Sequence, residues 1–150
     1  MSELLIIGYG NPLRGDDGFG FYAAEELQRR MIDDRGVTVL PLHQLTPELA
    51  ADISRAERVV FIDAANEGEP GKLSCREVVK TPVDTAVFTH HMTPGGLLAA
   101  SEALYATVPP AVLFSVAGQS FELGAPLTPG VQAALAEVAD QVSSSRLASR

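Results

Sequence analysis

Apolar runs and amphipathic stripes alternate along the chain, and this order predicts alternating strands and helices. Residues 4–8 (LLIIG) form an unbroken apolar run ending at glycine, which is typical of a strand buried on both faces of a parallel sheet. Apolar residues then recur every three or four positions and predict a helix over 18–33. Residues 37–42 (VTVLPL) and 58–63 (RVVFID) predict two more strands, with a helix between them that opens at Thr-Pro-Glu, 46–48. This order favours a parallel sheet with helices on both faces.

The second half of the chain predicts two further strands and two further helices. Residues 72–79 (KLSCREVV) alternate only partly, which indicates a strand near the edge of the sheet. Residues 111–117 (AVLFSVA) predict the last central strand. Thr-Pro pairs at 93–94 and 128–129 predict the starts of the flanking helices, because threonine caps a helix and proline suits its first turn.

Length and composition exclude several classes of protein. The 150 residues, 46% hydrophobic and 20% charged, suit one globular domain over residues 1–150, and we expect the tail, 143–150, to fray. The formal net charge of -8 disfavours nucleic acid and anionic membranes as partners. A single cysteine, Cys75, excludes an intramolecular disulfide. Since no apolar stretch suits a signal sequence or a membrane span, we expect a cytoplasmic protein.

Potentially reactive side chains follow three predicted segments that meet at one edge of the sheet. Asp16 and Asp17 lie in the glycine-rich loop after the first strand, Asp63 ends the third strand, and His90 and His91 precede the third helix. Ligands of open α/β sheets bind at the carboxyl ends of the strands, so we expect these side chains to share one rim. The loop lacks the dinucleotide-binding and Walker spacings, and its aspartates favour a cation over a phosphate.

Each of these residues also has an ordinary structural explanation. Aspartates cap helices or stabilise turns, and loop histidines often bond to carbonyl groups. Two carboxylates and one imidazole that converge, however, form three ligands with open coordination positions, as expected of a site that admits an exogenous ligand. These donor types do not choose among zinc, nickel and iron(II), and His43 is a weaker fourth candidate.

Five blocks of the sequence resemble the nickel-iron hydrogenase maturation endopeptidases, in order and spacing, across essentially the whole chain. The blocks are LLIIGYGNPLRGDDGFG, VVFIDAANEGEPG, THHMTPGGLL, FSVAG and LTPGVQAAL, of which the first is the most specific. The resemblance implies a three-layer α/β/α domain with a twisted, mainly parallel central sheet of about five strands. It also implies an endopeptidase that removes a short C-terminal extension from the hydrogenase large-subunit precursor after the nickel-iron centre has been loaded.

The resemblance also implies a metal site. The family uses one acid of the first loop, one acid at the end of the third strand and one histidine, which correspond by position to Asp17, Asp63 and His90. The same three residues are the candidate catalytic groups, in an aspartic-protease-like or a metal-assisted cleavage, and the alternative is that the two aspartates serve as ligands only. Asp17 is favoured over Asp16 as the second acid of the pair, and His90 over His91 by its distance to the next Thr-Pro pair. The implied metal is nickel contributed by the precursor, which is the implied partner of a monomeric enzyme.

Two other functions fit the same residues. A metal-dependent small-molecule hydrolase on this scaffold would hold its ion permanently, with zinc the natural choice. A non-catalytic binding module for metalloprotein maturation would use the same surface without chemistry. Cys75 lies inside a predicted strand and His43 has no evident partner, so the sequence indicates no serine or cysteine nucleophile beside a base.

Overall fold

A computed structural model describes residues 2–82 and 92–148, in which a five-stranded sheet lies between two pairs of helices. The strands are β1 (Ser2–Tyr9), β2 (Val37–Leu42), β3 (Ala56–Ala65), β4 (Leu73–Glu77) and β5 (Ala111–Ala117). A 3₁₀ turn (Gly15–Gly18) precedes α1 (Phe19–Arg30), and the other helices are α2 (Leu49–Ser54), α3 (Pro94–Tyr105) and α4 (Pro129–Ala148). The strand order is β2-β1-β3-β5-β4, in which β4 runs antiparallel to β5 and the other pairs are parallel.

Each face of the sheet carries its own apolar cluster. Leu4 and Ile6 of β1 pack with α1 and α4 on one face, whereas Leu5 and Ile7 pack with α2 and α3 on the other. A strand covered on both faces has no polar side, which is why this segment is an unbroken apolar run. The three-layer α/β/α fold with a mainly parallel sheet is therefore confirmed, as is the edge position of β4. None of the helices in the described ranges is long and apolar enough to span a bilayer.

The predicted helix starts at Thr-Pro pairs are confirmed for α3 and α4 and are displaced for α2. In α3, the Thr93 hydroxyl accepts a hydrogen bond from the Gly96 N–H at 3.0 Å, and proline follows the cap. α2 begins later than predicted, at Leu49, whose N–H bonds to the Thr46 carbonyl in a preceding turn. A Thr-Pro pair therefore marks the first residue of the helix in α3 and α4, whereas before α2 the pair lies in a turn that precedes the helix.

The predicted frayed tail over 143–150 is wrong for the residues that the structure describes, because α4 continues to Ala148. Arg146 explains this length. Its Nε and Nη2 atoms donate hydrogen bonds to the two oxygens of Asp34 at 2.8 and 3.0 Å, and Nη2 also donates to Glu3. These ion pairs attach the last turns of α4 to β1 and to the segment before β2. The first helix is also shorter than predicted, since it ends at Arg30.

We expect Arg146→Ala to lower the free energy of unfolding by about 3 kcal/mol, because it removes two hydrogen bonds from a carboxylate whose side chain is only 11% exposed. Arg29→Ala is the control: Arg29 pairs with Glu26, but its side chain is 75% exposed, and the change should cost less than about 0.5 kcal/mol. Urea denaturation followed by circular dichroism measures both. Equal losses would contradict the role of Arg146 in holding α4.

Candidate functional site

The loop between β1 and α1 folds tightly over the carboxyl ends of β1 and β3. Gly10 has a φ of +148°, and a Cβ at this position would lie 1.9 Å from the carbonyl oxygen of Asp17. A Cβ on Gly20, in the first turn of α1, would lie 2.2 Å from the carbonyl oxygen of Ile62. Only glycine permits backbones to approach this closely. The glycines of the first motif thus bring the 3₁₀ turn with Asp16 and Asp17 against the strand ends.

Asp16 is fully buried, and its side chain links the loop between β1 and α1 to the loop between β5 and α4. Its carboxylate accepts hydrogen bonds from the N–H groups of Gln119, Ser120 and Thr128 at 2.8, 3.1 and 2.8 Å, and from the Thr128 hydroxyl at 2.8 Å. Burial raises the pKa of Asp16, but these hydrogen bonds outweigh burial and leave the pKa below its ordinary value. Because the Asp16 carboxylate is committed to this structural role, Asp17 is the acid of the pair that is better placed to meet a ligand.

Asp17 is half-buried, and its carboxylate is oriented by the loop that carries it. Oδ2 accepts a hydrogen bond from the Asn11 N–H at 2.8 Å. The negative charge of Asp17 also acts on Asp63, whose pKa it helps to raise. The two predicted carboxylates therefore lie within electrostatic reach of each other, at the carboxyl edge of the sheet.

Asp63 belongs to a row of polar side chains that crosses the sheet near this edge. It pairs in register with Ser115 on β5, which in turn pairs with Ser74 on β4. On the other side, the Tyr9 hydroxyl at the end of β1 donates a hydrogen bond to Asp63 Oδ2 at 2.9 Å. Residues in register point to the same face of a sheet, and Tyr9 packs against the apolar cluster of α2 and α3. The row therefore lies on the face that α2 and α3 cover.

The other oxygen of Asp63, Oδ1, is buried and has no hydrogen-bond partner among the described residues. Burial raises the pKa of Asp63, and the charge of Asp17 raises it further, while the hydroxyls of Ser115 and Tyr9 and the charge of Arg76 oppose this rise. A buried carboxylate oxygen without a partner costs free energy, so it calls for an explanation. A bound cation is one explanation that suits its charge.

The donors fit a divalent cation. A cation beside Asp17 and Asp63 would screen the repulsion between the two carboxylates and would give Asp63 Oδ1 a partner, which it does not have among the described residues. Within the described ranges, no group of three His, Cys, Asp or Glu side chains is arranged to hold a metal. The third predicted ligand falls outside those ranges, because His90 and His91 lie in residues 83–91. The choice of His90 over His91 stays a prediction.

Three residues near Asp63 are missing from the predicted site, namely Tyr9, Ser115 and Arg76. Tyr9 stands inside the glycine motif, and its place opposite Asp63 depends on the pairing of two strands. Arg76 lies on the edge strand β4, and its proximity depends on an antiparallel register that the sequence does not reveal. His43, the weaker candidate ligand, instead packs against Phe21 with ring centroids 5.3 Å apart.

Comparison with known proteins finds a partial match in sequence and a nearly complete match in fold. No protein-family model matches the chain. The chain is 37% identical over 73 residues, 48% of its length, to the hydrogenase expression/formation protein HupD of Bradyrhizobium diazoefficiens, and the match spans only 38% of that protein.

The fold is shared with solved structures, among them the following two. The NiFe hydrogenase maturation protease HycI from Thermococcus kodakarensis KOD1 has a TM-score of 0.77 and 24% identity, over 95% of this chain and 91% of that chain. The hydrogenase maturating endopeptidase HybD from E. coli has a TM-score of 0.76 and 24% identity, over 99% and 94%. The resemblance expected from the motifs is thus confirmed: the chain has the fold of the hydrogenase maturation proteases, and part of its sequence is similar to HupD.

Proposed function

We propose that this protein is an endopeptidase that removes the C-terminal extension of a nickel-iron hydrogenase large-subunit precursor after nickel insertion. The fold shared with maturation proteases and the partial identity to HupD support this role. The observation that carries the proposal is the buried Oδ1 of Asp63, which has no partner among the described residues and lies near Asp17. This is an anionic donor, already removed from water, at the rim where an α/β sheet binds its ligands.

In this proposal Asp17, Asp63 and His90 recognise the nickel that the precursor carries. Asp63 offers Oδ1, because Oδ2 already accepts the hydrogen bond from Tyr9. Two hard carboxylates and one neutral imidazole, without a thiolate, bind a divalent ion only moderately. The ion therefore arrives and leaves as part of the substrate, and its capture brings the scissile bond to the carboxylates.

The attacking group in this proposal is water rather than a side chain of the protein. Cys75 pairs with Phe114, on the sheet face that α1 and α4 cover, and thus lies on the opposite face from Asp63. Burial also raises the pKa of the Cys75 thiol, which disfavours the reactive thiolate. We therefore assign the attack to a water molecule that the carboxylates orient and activate.

The test is to incubate the purified protein with nickel-loaded precursor, and separately with nickel-free precursor, and to record intact masses. We expect a C-terminal peptide to be lost from the nickel-loaded precursor alone. Equal cleavage of the nickel-loaded and the nickel-free precursor would contradict nickel recognition but would still support endopeptidase activity. No mass loss in either sample, with a stable complex in size-exclusion chromatography, would favour a non-catalytic binding module.

The metal content of the isolated protein provides a second measurement. Because the nickel is proposed to come with the precursor, we expect far less than one metal ion per chain after purification. Near-stoichiometric zinc would instead favour a small-molecule hydrolase with a permanent ion. The same sample gives the solution mass, for which a monomer is expected.

A further inference from the structure

The hydrogen bond between Tyr9 and Asp63 joins two neighbouring strands at the rim of the sheet. Gly8 of β1 pairs with Ile62 of β3, so the next residues along each strand, Tyr9 and Asp63, lie side by side. The Tyr9 ring packs against the apolar cluster beneath α2 and α3, and its hydroxyl donates to Asp63 Oδ2 at 2.9 Å. Burial and the charge of Asp63 raise the pKa of Tyr9, so its hydroxyl stays protonated and donates.

We propose that Tyr9 is a positioning residue that makes Asp63 a one-oxygen ligand. The terminal torsion of an aspartate is broad and two-fold, so a carboxylate without a fixed partner can present either oxygen. Because Tyr9 occupies Oδ2, the oxygen left for a divalent cation is Oδ1, the atom without a partner among the described residues. This inference rests on the proposed function, in which Asp63 binds the nickel of the precursor.

The charges around Asp63 explain why its carboxylate needs a hydrogen bond that fixes its orientation. Arg76 attracts the Asp63 carboxylate and Asp17 repels it, as their opposite effects on the pKa of Asp63 indicate. Without the Tyr9 hydroxyl, the carboxylate keeps the Ser115 hydroxyl as a partner but loses the one that holds Oδ2, so it can turn toward the guanidinium. Partners that orient a ligating group in this way typically change metal affinity by about 10- to 100-fold.

The experiment measures the affinity of the wild-type protein and of Tyr9→Phe for nickel chloride by isothermal titration calorimetry. We expect Tyr9→Phe to bind Ni²⁺ about tenfold more weakly, because the ring and its packing remain while the orienting hydrogen bond is lost. Tyr22→Phe is the matched control. The Tyr22 hydroxyl donates to the Pro12 carbonyl at 3.1 Å, in the same loop region, and among the described residues it has no hydrogen bond to a carboxylate, so this variant should bind Ni²⁺ like the wild type.

Thermal denaturation of the variants separates positioning from a structural role. Similar melting temperatures for Tyr9→Phe and Tyr22→Phe, with weaker Ni²⁺ binding only in Tyr9→Phe, support the proposal. Unchanged or tighter Ni²⁺ binding by Tyr9→Phe overturns it, and so does a wild-type protein that binds no Ni²⁺. Precursor cleavage by the wild type is recorded independently. A loss of Ni²⁺ affinity without any wild-type cleavage would refute the proposed function and leave the positioning role in place.

Discussion

Asp63→Asn should lower the rate of cleavage of nickel-loaded precursor by at least about 100-fold while the protein folds normally. The amide keeps the size of the side chain and can still accept the Tyr9 hydrogen bond, but it lacks the negative charge that attracts a divalent ion. Intact-mass spectrometry of the precursor over time measures the rate. Asp52→Asn is the control, since Asp52 lies on α2 in a surface pair with Arg55 and should leave cleavage unchanged.

The stability of Asp63→Asn provides a second test of the same site. Burial raises the pKa of Asp63 in the folded protein, so ionisation of this group at neutral pH opposes folding. Its stabilising contribution is present below the unfolded pKa and is lost as the pH rises through the folded pKa. The neutral amide should therefore be as stable as the wild type at neutral pH, or more stable. A markedly less stable variant would contradict the cost of ionising buried Asp63. Cleavage of the precursor at the wild-type rate would contradict a role for Asp63 as an ionised ligand.

Equivalent changes test the other two predicted ligands. We expect Asp17→Asn to lose cleavage as Asp63→Asn does, because it removes the second carboxylate of the rim. His90→Ala should lose cleavage and His91→Ala should retain it, if His90 is the ligand. If His91→Ala loses cleavage and His90→Ala retains it, the ligand is His91, and the site still has three ligands.

The central strands and the last helix were predictable because the positions that must be buried determine where apolar residues occur in the sequence. The predicted strands over 37–42 and 111–117 have the bounds of β2 and β5. The apolar spacing of α4 likewise matches its buried face, which includes Val131, Val138 and Val142. Helix ends were less predictable, because they depend on distant partners. The length of α4, for example, follows from ion pairs between Arg146 and residues more than 100 positions away.

The carboxylates of the candidate site were predictable in position but not in environment. The rule that ligands bind at the carboxyl ends of parallel strands placed Asp17 and Asp63 on one rim, where their charges do interact. The Tyr9 hydrogen bond follows from strand register, which no local pattern encodes, and the state of Oδ1, without a partner among the described residues, was not predicted either. The local explanation of Asp16 as a helix cap is wrong, since neither the 3₁₀ turn nor α1 has a side-chain cap.

Asp16→Ala should lower the free energy of unfolding by at least about 3 kcal/mol, because it leaves three backbone N–H groups and the Thr128 hydroxyl without their buried acceptor. Asp33→Ala is the control on an exposed aspartate and should change stability by less than about 0.5 kcal/mol. Urea denaturation measures both. A loss below about 1 kcal/mol for Asp16→Ala would contradict the role of Asp16 in joining the two loops.

The pH dependence of this loss identifies its cause. The pKa of Asp16 lies below its ordinary value in the folded protein, so its ionised carboxylate stabilises the fold fully above the unfolded pKa, and this stabilisation disappears as the pH falls through the folded pKa. The difference in unfolding free energy between the wild type and Asp16→Ala should therefore shrink on acidification. A constant difference would indicate lost packing rather than lost hydrogen bonds to a charged group. Because Asp16 holds the turn that carries Asp17, the proposed function predicts that a protein that folds without this link cleaves nickel-loaded precursor more slowly.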